Sequence, residues 1–400
     1  MSPQFGIWNF DNRPVEAAYL QEAKNFLVPQ GPDGQTTYVS DNIGIAYSAF
    51  NTTRESGREV QPHLTASRHV ITWDGRLDNR DELAKDLAEP PIGNVPDVAL
   101  VASSFERWDL RCFARLRGDW ALSVWSPADK RLLLATDYMG IRPLYFCLSR
   151  HAVVWCTLLR PLVALCRSSL TIDDEYIAGY LALSPAAHLT PYREILAVSP
   201  GCFVSIRHAT AATHRYWDFQ PRRRIEYKTD AEYEDHFRYV FRQAVARRLR
   251  SGSPILAELS GGLDSSSIVC MADDIIAMGE VGPAQVDTVS YYDPAEPASD
   301  ERPYIAHVEH KRGRKGHHID TRQYGGAFSF DYQGLVVVPG ANGTTQGVRG
   351  ALLDLMQREK YRVVLSGSAG DEFLGGVPNP IPQLADLLVS VQPIKFAKEL

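Results

Sequence analysis

The sequence predicts two units, a mixed α+β sandwich over residues 1–207 and an alternating α/β sheet over residues 229–400. Three observations carry this. Short β-prone segments bounded by turn residues crowd the first half. Between residues 208 and 228 the apolar periodicity lapses, which places a linker there. Beyond it strands and helices alternate, and two of those strands run straight into small-residue turns that carry acids.

In the first half, Ile43–Tyr47, His69–Trp73, Trp120–Trp125, Arg131–Ala135 and Val153–Cys156 read as strands. Helices are expected over Arg80–Leu87 and Asp97–Trp108, the first capped by Asp78-Asn79. Within the linker, Ala209–Thr213 has no apolar period, and Arg222-Arg223-Arg224 reads as a solvated face. A long helix follows over Tyr233–Leu249, with Phe237, Val240, Phe241, Ala244 and Val245 on one side. Then come Ile255–Leu259, a helix, Val286–Tyr292, Tyr304–Lys311 and Val363–Ser366. This alternation predicts a parallel sheet with helices on both faces. A last helix is expected over Gln383–Val391.

Bulk properties narrow the function classes. Four hundred residues, 44% of them hydrophobic, can bury two sizeable cores. A net charge of −6 gives no electrostatic reason to expect nucleic acid or an anionic membrane as partner. The six cysteines form no Cys-x-x-Cys pair and lie in mostly apolar contexts, as buried thiols of a reducing compartment do. The start of the chain has no basic region followed by an apolar core, and no apolar run approaches membrane-spanning length. The expected location is the cytoplasm.

The segment Ser260-Gly261-Gly262-Leu263-Asp264-Ser265-Ser266 follows the apolar run Ile255–Leu259 directly. Glycines let backbone N–H groups approach an oxyanion, and the start of a helix adds the positive end of its dipole. Asp264 sets a carboxylate at the rim, where magnesium can bridge it to a phosphate. No lysine follows Gly262, so this is not the G-x-x-x-x-G-K-[ST] phosphate loop. Further on, Arg362–Leu365 leads into Ser366-Gly367-Ser368-Ala369-Gly370-Asp371-Glu372-Phe373-Leu374-Gly375-Gly376. Ligands bind beyond the carboxyl ends of parallel strands, so Asp264 and Asp371 are expected to face one another across ATP and share magnesium. Asp371-Glu372 taken alone is also compatible with a helix cap. His307, His310, His317 and His318 do not suggest a metal site, because adjacent histidines on a strand point to opposite faces.

These motifs resemble the asparagine synthetase superfamily over nearly the whole chain. Ser260–Ser266 is similar to its pyrophosphate loop, Ser366–Gly376 to its second motif, and Asp300–Tyr304 and His317-His318 to segments between them. Upstream, Arg115–Ala121, Asp137–Phe146 and Tyr216–Asp218 resemble its glutaminase-type domain. The resemblance implies an Ntn-hydrolase-like αββα sandwich followed by a Rossmann-like PP-loop ATP pyrophosphatase domain, incomplete at its C-terminus. It implies that Leu259, Ser260, Gly261, Gly262, Leu263, Asp264, Ser265, Ser266, Ser366 and Gly367 contact ATP. It further implies that Asp264 and Asp371 hold magnesium, and that Asp264, Asp371 and Glu372 serve catalysis.

The chain departs from the family in several places. Glutamine-using members carry a cysteine after the initiator methionine; here that position is Ser2, a far weaker nucleophile at neutral pH. Asp74-Gly75 stands where Asn-Gly supplies part of an oxyanion hole, and a carboxylate repels an oxyanion. Glutamine hydrolysis is therefore not expected. Relatives lacking the cysteine include β-lactam synthetases and lasso peptide cyclases, which use an amine already in the substrate. Ser368 replaces a glutamate or tyrosine that handles the nucleophile's proton, and serine alone cannot do so. A peptide α-amine, with a pKa near 7.7–8.0, is partly neutral without help. That favours a peptide cyclase, whose precursor peptide would come with a leader protease and a recognition protein. Gly375–Pro382 also looks like lasso cyclases. The family continues past the second motif with a lysine that stabilises the transition state; Lys395 and Lys398 lie too close to Asp371 to match it. Asparagine synthesis from aspartate, and a truncated, non-catalytic ATP-binding subunit, remain the alternatives.

Overall fold

The computed structural model describes residues 1–88, 95–166, 169–220, 223–295, 300–324, 337–339, 346–370, 381–389, 391, 393 and 396–397. The chain divides into two compact units, Met1–Ser253 with Gly326–Arg349, and Pro254–Gly325 with Gly350–Leu400.

The first unit contains strands β1 (Gln4–Asn9), β2 (Gly34–Ser40), β3 (Ile43–Ala49), β4 (His63–Leu64), β5 (Val70–Leu77), β6 (Gly118–Ser126), β7 (Arg131–Thr136), β8 (Tyr145–Leu148), β9 (Ala152–Cys156), β10 (Ile195–Ala197), β11 (Cys202–Arg207) and β12 (Thr210–Arg215). They form two six-stranded sheets, ordered β10-β8-β9-β1-β3-β2 and β12-β11-β7-β6-β5-β4. Its helices are α1 (Ala17–Leu27), α2 (Arg80–Leu87), α3 (Asp97–Trp108), α4 (Leu159–Leu165), α5 (Asp174–Leu181) and α6 (Asp230–Arg248).

Three cores stack in this unit. One core lies between the sheets and draws Trp8, Ile45 and Trp155 from the first, and Trp125, Leu134 and Val204 from the second. The outer face of the first sheet is covered by α1 and α4 through Leu20, Ala23, Leu27 and Leu162. The second sheet's outer face is covered by α2 and α3 through Leu83, Val101 and Phe105. Helix, sheet, sheet, helix is the expected αββα sandwich, and alternating inward apolar residues cause it.

Three local expectations need correction. Asn79 does not cap α2 with its side chain; its amide instead donates to the Arg115 carbonyl (2.9 Å) and accepts from the Arg117 N–H (2.9 Å). Residues 210–215, read as linker, pair along β11 as strand β12, whose side chains are all exposed. On α6 the stripe Phe237, Val240, Phe241 is not a core face, since Phe237 is 53% and Val240 49% exposed. Only Val245 of that helix is buried, and ion pairs around its C-terminus hold it instead. Arg247 pairs with Glu82, Arg248 with Asp78 and Asp119, and just beyond the helix Arg250 pairs with Asp97 and Glu55.

The second unit is built on a parallel sheet of β13 (Ile255–Glu258), β14 (Val286–Tyr292), β15 (His317–Asp320) and β16 (Val363–Leu365), in the order β15-β14-β13-β16. Its helices are α7 (Leu263–Ala277), α8 (Arg302–Arg312), α9 (Gln346–Glu359) and α10 (Ile381–Val389). Leu355 of α9 packs with Leu256, Val289 and Ile319 on one face of the sheet, and α7 packs on β13 and β14. No described helix is long and apolar enough to cross a membrane.

Candidate active site

Strand order decides where a ligand can sit. From β13 the chain moves outward through β14 and β15, then returns to place β16 on the other side of β13. The loops after β13 and β16 therefore leave the sheet side by side at its switch point, where open α/β sheets bind ligands.

The first loop is held from within. Leu259 is fully buried, its N–H donating to the Val289 carbonyl (2.8 Å) and its carbonyl accepting from the Ser290 hydroxyl (2.7 Å). The Ser260 and Ser265 hydroxyls lie 3.0 Å apart, and the Ser260 N–H donates to Ser265 Oγ (3.2 Å). Gly261 has φ +87°, and a Cβ there would meet Tyr304 Cβ at 2.9 Å, so only glycine fits between the turn and α8. Helix α7 begins after Gly262 without a side-chain cap, which leaves first-turn N–H groups and the positive dipole end for an anion.

The second loop closes on the first. Ser366 Oγ lies 2.9 Å from Ser368 Oγ and accepts from the Ser368 N–H (3.2 Å). Ala369 takes φ +69°, bringing the Gly370 N–H to the Gly367 carbonyl (3.0 Å). A Cβ on Gly367 would come within 3.1 Å of the Ser265 nitrogen and 3.2 Å of Asp264 Cβ. One on Gly370 would run into the Asp264 carboxylate and sit 2.9 Å from its Cβ. The structure thus brings Ser260–Ser266 against Ser366, Gly367 and Gly370, with Asp264 half-buried at the seam. Asp371 and Glu372 lie outside the described residues.

Sequence reasoning missed three residues here. Gly370 had a signal, a glycine immediately before an acid in a small-residue turn. Tyr304 lay in the Asp300–Tyr304 segment already noted but without a role, and Ser290, which bonds the Leu259 carbonyl, had no signal because that role comes from pairing with a neighbouring strand. His318 bonds Glu309 (2.8 Å) and His317 bonds the Tyr361 hydroxyl (3.0 Å), so the two imidazoles serve different partners. A cavity of about 240 Å³ along β15, lined by Tyr292, His318, Tyr324 and Arg358 among others, takes no lining from either loop.

In the first unit, the Ser2 N–H donates to Asp74 Oδ1 (2.8 Å), and the Ser2 hydroxyl accepts from the Phe50 N–H (2.9 Å). Asp74 is buried, and its Oδ2 has no hydrogen-bond partner among the described residues. Burial pushes the nearby Tyr47 hydroxyl up, and the charges of Glu59 and Asp74 push it further.

Comparison with known proteins places the family. A glutamine amidotransferase domain family matches residues 1–217, more than half of the chain, and an asparagine synthase family matches residues 236–387. The chain belongs to the asparagine synthetase superfamily. Asparagine synthetase [glutamine-hydrolyzing] 3 of Bacillus subtilis is 22% identical over 91% of this chain and 61% of its own length. Carboxyethyl-arginine beta-lactam-synthase of Streptomyces clavuligerus is 32% identical over 64% of this chain and 46% of its own length. Amidase chry2 of Gibberella zeae is 22% identical over 89% of this chain and 55% of its own length. The chain spans about half the length of the curated relatives it matches. The asparagine synthase match, residues 236–387, includes both loops at the switch point, and the glutamine amidotransferase match, residues 1–217, includes Ser2 and Asp74.

Proposed function

We propose that the chain is an ATP-dependent, AMP-forming ligase that adenylates a carboxylate and joins it to an amine. The observation that carries this reading is the packing of Gly367 and Gly370 against Ser265 and Asp264, which makes one anion cradle from two loops at the switch point. Gly370 lacks a Cβ where the Asp264 carboxylate lies, and Gly367 lacks one against the Ser265 nitrogen and Asp264 Cβ, an arrangement that fits a site for a metal-bound polyphosphate.

In this reading the Ser260–Leu263 turn, its Ser260 and Gly262 N–H groups tied to the Ser265 and Ser260 hydroxyls, cradles the leaving pyrophosphate at the start of the helix opened by Ser265 and Ser266, whose dipole favours its charge. Leu259, Ser366 and Gly367 line the nucleotide, and Asp371 and Glu372 complete the acidic rim. Asp264 and Asp371 would hold magnesium, which when bound would supply charge neutralisation for the phosphates. Holding carboxylate, nucleotide and amine together converts a three-body encounter into a local one.

The amine is proposed to come from the substrate itself. Ser2 has its hydroxyl engaged by Phe50 and its N–H by Asp74, and a carboxylate stands at position 74, which supports an N-terminal sandwich without glutaminase activity. A relative that by its name forms a β-lactam supports the same choice. The finer proposal is macrolactam closure in a lasso-type precursor peptide in the cytoplasm, with a leader protease and a recognition protein as partners. The second reading, aspartate plus ammonia to asparagine, is favoured by the asparagine synthetases among the relatives.

The test is ATP–[³²P]pyrophosphate exchange with candidate peptides and with free aspartate. Peptide-dependent exchange supports the cyclase, and aspartate-dependent exchange with asparagine release supports the second reading. Nucleotide binding with no carboxylate-dependent exchange overturns the ligase and leaves an ATP-binding subunit acting through a partner.

A further inference from the structure

Cys147 lies in β8, is 6% exposed, and faces the core formed by Ile195, Leu162 and Leu165. Cys166 closes α4 as its C-cap, its N–H donating to the Leu162 carbonyl (2.8 Å), and is only half-buried. Their sulfurs lie 3.2 Å apart, each thiol within hydrogen-bond reach of the other. A disulfide needs about 2.05 Å between sulfurs, so closure asks for a movement of about 1 Å. The other cysteines are scattered: Cys112 follows α3, Cys156 ends β9, Cys202 begins β11 and Cys270 sits in α7.

We propose that Cys147 and Cys166 are a modification site that a small-molecule disulfide converts to an intrachain bridge tying β8 to the end of α4. The order of events follows from exposure and chemistry. Cys166, the more exposed thiol, loses its proton and attacks one sulfur of the oxidant, expelling one small thiol and leaving a mixed disulfide. The Cys147 sulfur then attacks Cys166 Sγ, loses its proton and expels the second small thiol. Two protein S–H bonds and one small-molecule S–S bond are exchanged for one protein S–S bond and two small thiols. The hydrogen bond to Cys166, with burial behind it, holds the Cys147 thiol well above the usual cysteine range, so Cys147 is a poor first nucleophile and an adequate resolving one. A reduced pair of this kind is a stability device, because the bridge closes a short loop and removes conformations from the unfolded chain.

The experiment incubates the full chain with glutathione disulfide, blocks remaining thiols under denaturing conditions and maps non-reduced peptides. Two of the six thiols should disappear, a 147–166 cross-linked peptide should appear, and dithiothreitol should reverse both. Thermal unfolding of the oxidised chain should move up on the order of 5–10 °C. Cys166→Ser should keep its five thiols under the same treatment. Six thiols surviving in the wild type, loss at other cysteines, or glutathione remaining on Cys166 each overturns the proposal. Should Cys166→Ser fail to fold, the wild-type map decides alone.

Discussion

Replacing Gly370 with alanine tests the two-loop site at its tightest point. Gly370 has no left-handed φ, so alanine meets no backbone strain, and less freedom in the unfolded chain would alone stabilise by about 0.4–1 kcal/mol. The new methyl, however, lands 2.9 Å from Asp264 Cβ and inside the space its carboxylate fills. The nearest atoms belong to a short side chain on the first turn of a 15-residue helix, so relief requires Asp264 to turn away or the second loop to retreat. Overpacking of this sort costs about 1–3 kcal/mol. If Asp264 carries the metal-bound phosphates, that cost appears in nucleotide binding as a loss on the order of 5- to 150-fold in affinity. Calorimetric titration with ATP and magnesium measures it. Gly350→Ala is the control, because a Cβ there meets nothing within 4 Å, and it should bind nucleotide as the wild type does. A folded Gly370→Ala protein that binds within twofold of wild type would refute the site.

Asp264→Asn keeps the shape and removes the charge, so pyrophosphate exchange should fall at least about tenfold while the melting temperature stays close to wild type. Burial, with repulsion from Asp97, raises the Glu59 carboxyl from 4.5 to about 7 against the hydrogen bond from Gln61. The folded state then binds this proton more tightly than the unfolded one. Stability is full below pH 4.5 and falls, by about 3 kcal/mol, as pH rises through about 7. Glu59→Gln should flatten that slope in urea melts taken between those limits. Arg312→Ala removes a buried guanidinium that donates to Asp273 (2.7 Å) and to the Val286 carbonyl (2.7 Å), and should cost about 2–3 kcal/mol in chemical denaturation.

What the sequence made legible was local. A glycine turn directly after an apolar strand, carrying an acid and opening a helix, has few other uses, and both such turns are found at strand ends. The αββα sandwich was legible from alternation, because each sheet buries two faces and its strands repeat Trp, Ile, Val and Leu at close spacing. What pairing decides was not legible. Thr210–Arg215 is an edge strand held by backbone bonds to β11, with no buried side chain to leave a period. The stripe on α6 looked like a core face, yet the helix is fastened by Arg247 and Arg248, with Arg250 just beyond its end, each reaching a carboxylate far away in the chain. The order β15-β14-β13-β16, which makes the switch point, is a tertiary fact that no single segment encodes.

Ser2 and Asp74 meet in the first unit. Its cores among the described residues are built from apolar side chains, and Asp74 is buried among them on β5. Asp74 itself is costly: it is buried with one oxygen unpartnered and gains only the Ser2 N–H in return. A buried carboxylate oxygen without a partner is a poor source of stability. Its charge faces the same small space as the Ser2 hydroxyl and the Tyr47 hydroxyl, which that charge helps to hold neutral. An anionic transition state is the one thing such a space disfavours most, and the same field welcomes a cation. A carboxylate at position 74 therefore fits the proposed function, in which the amine comes from the substrate and not from glutamine.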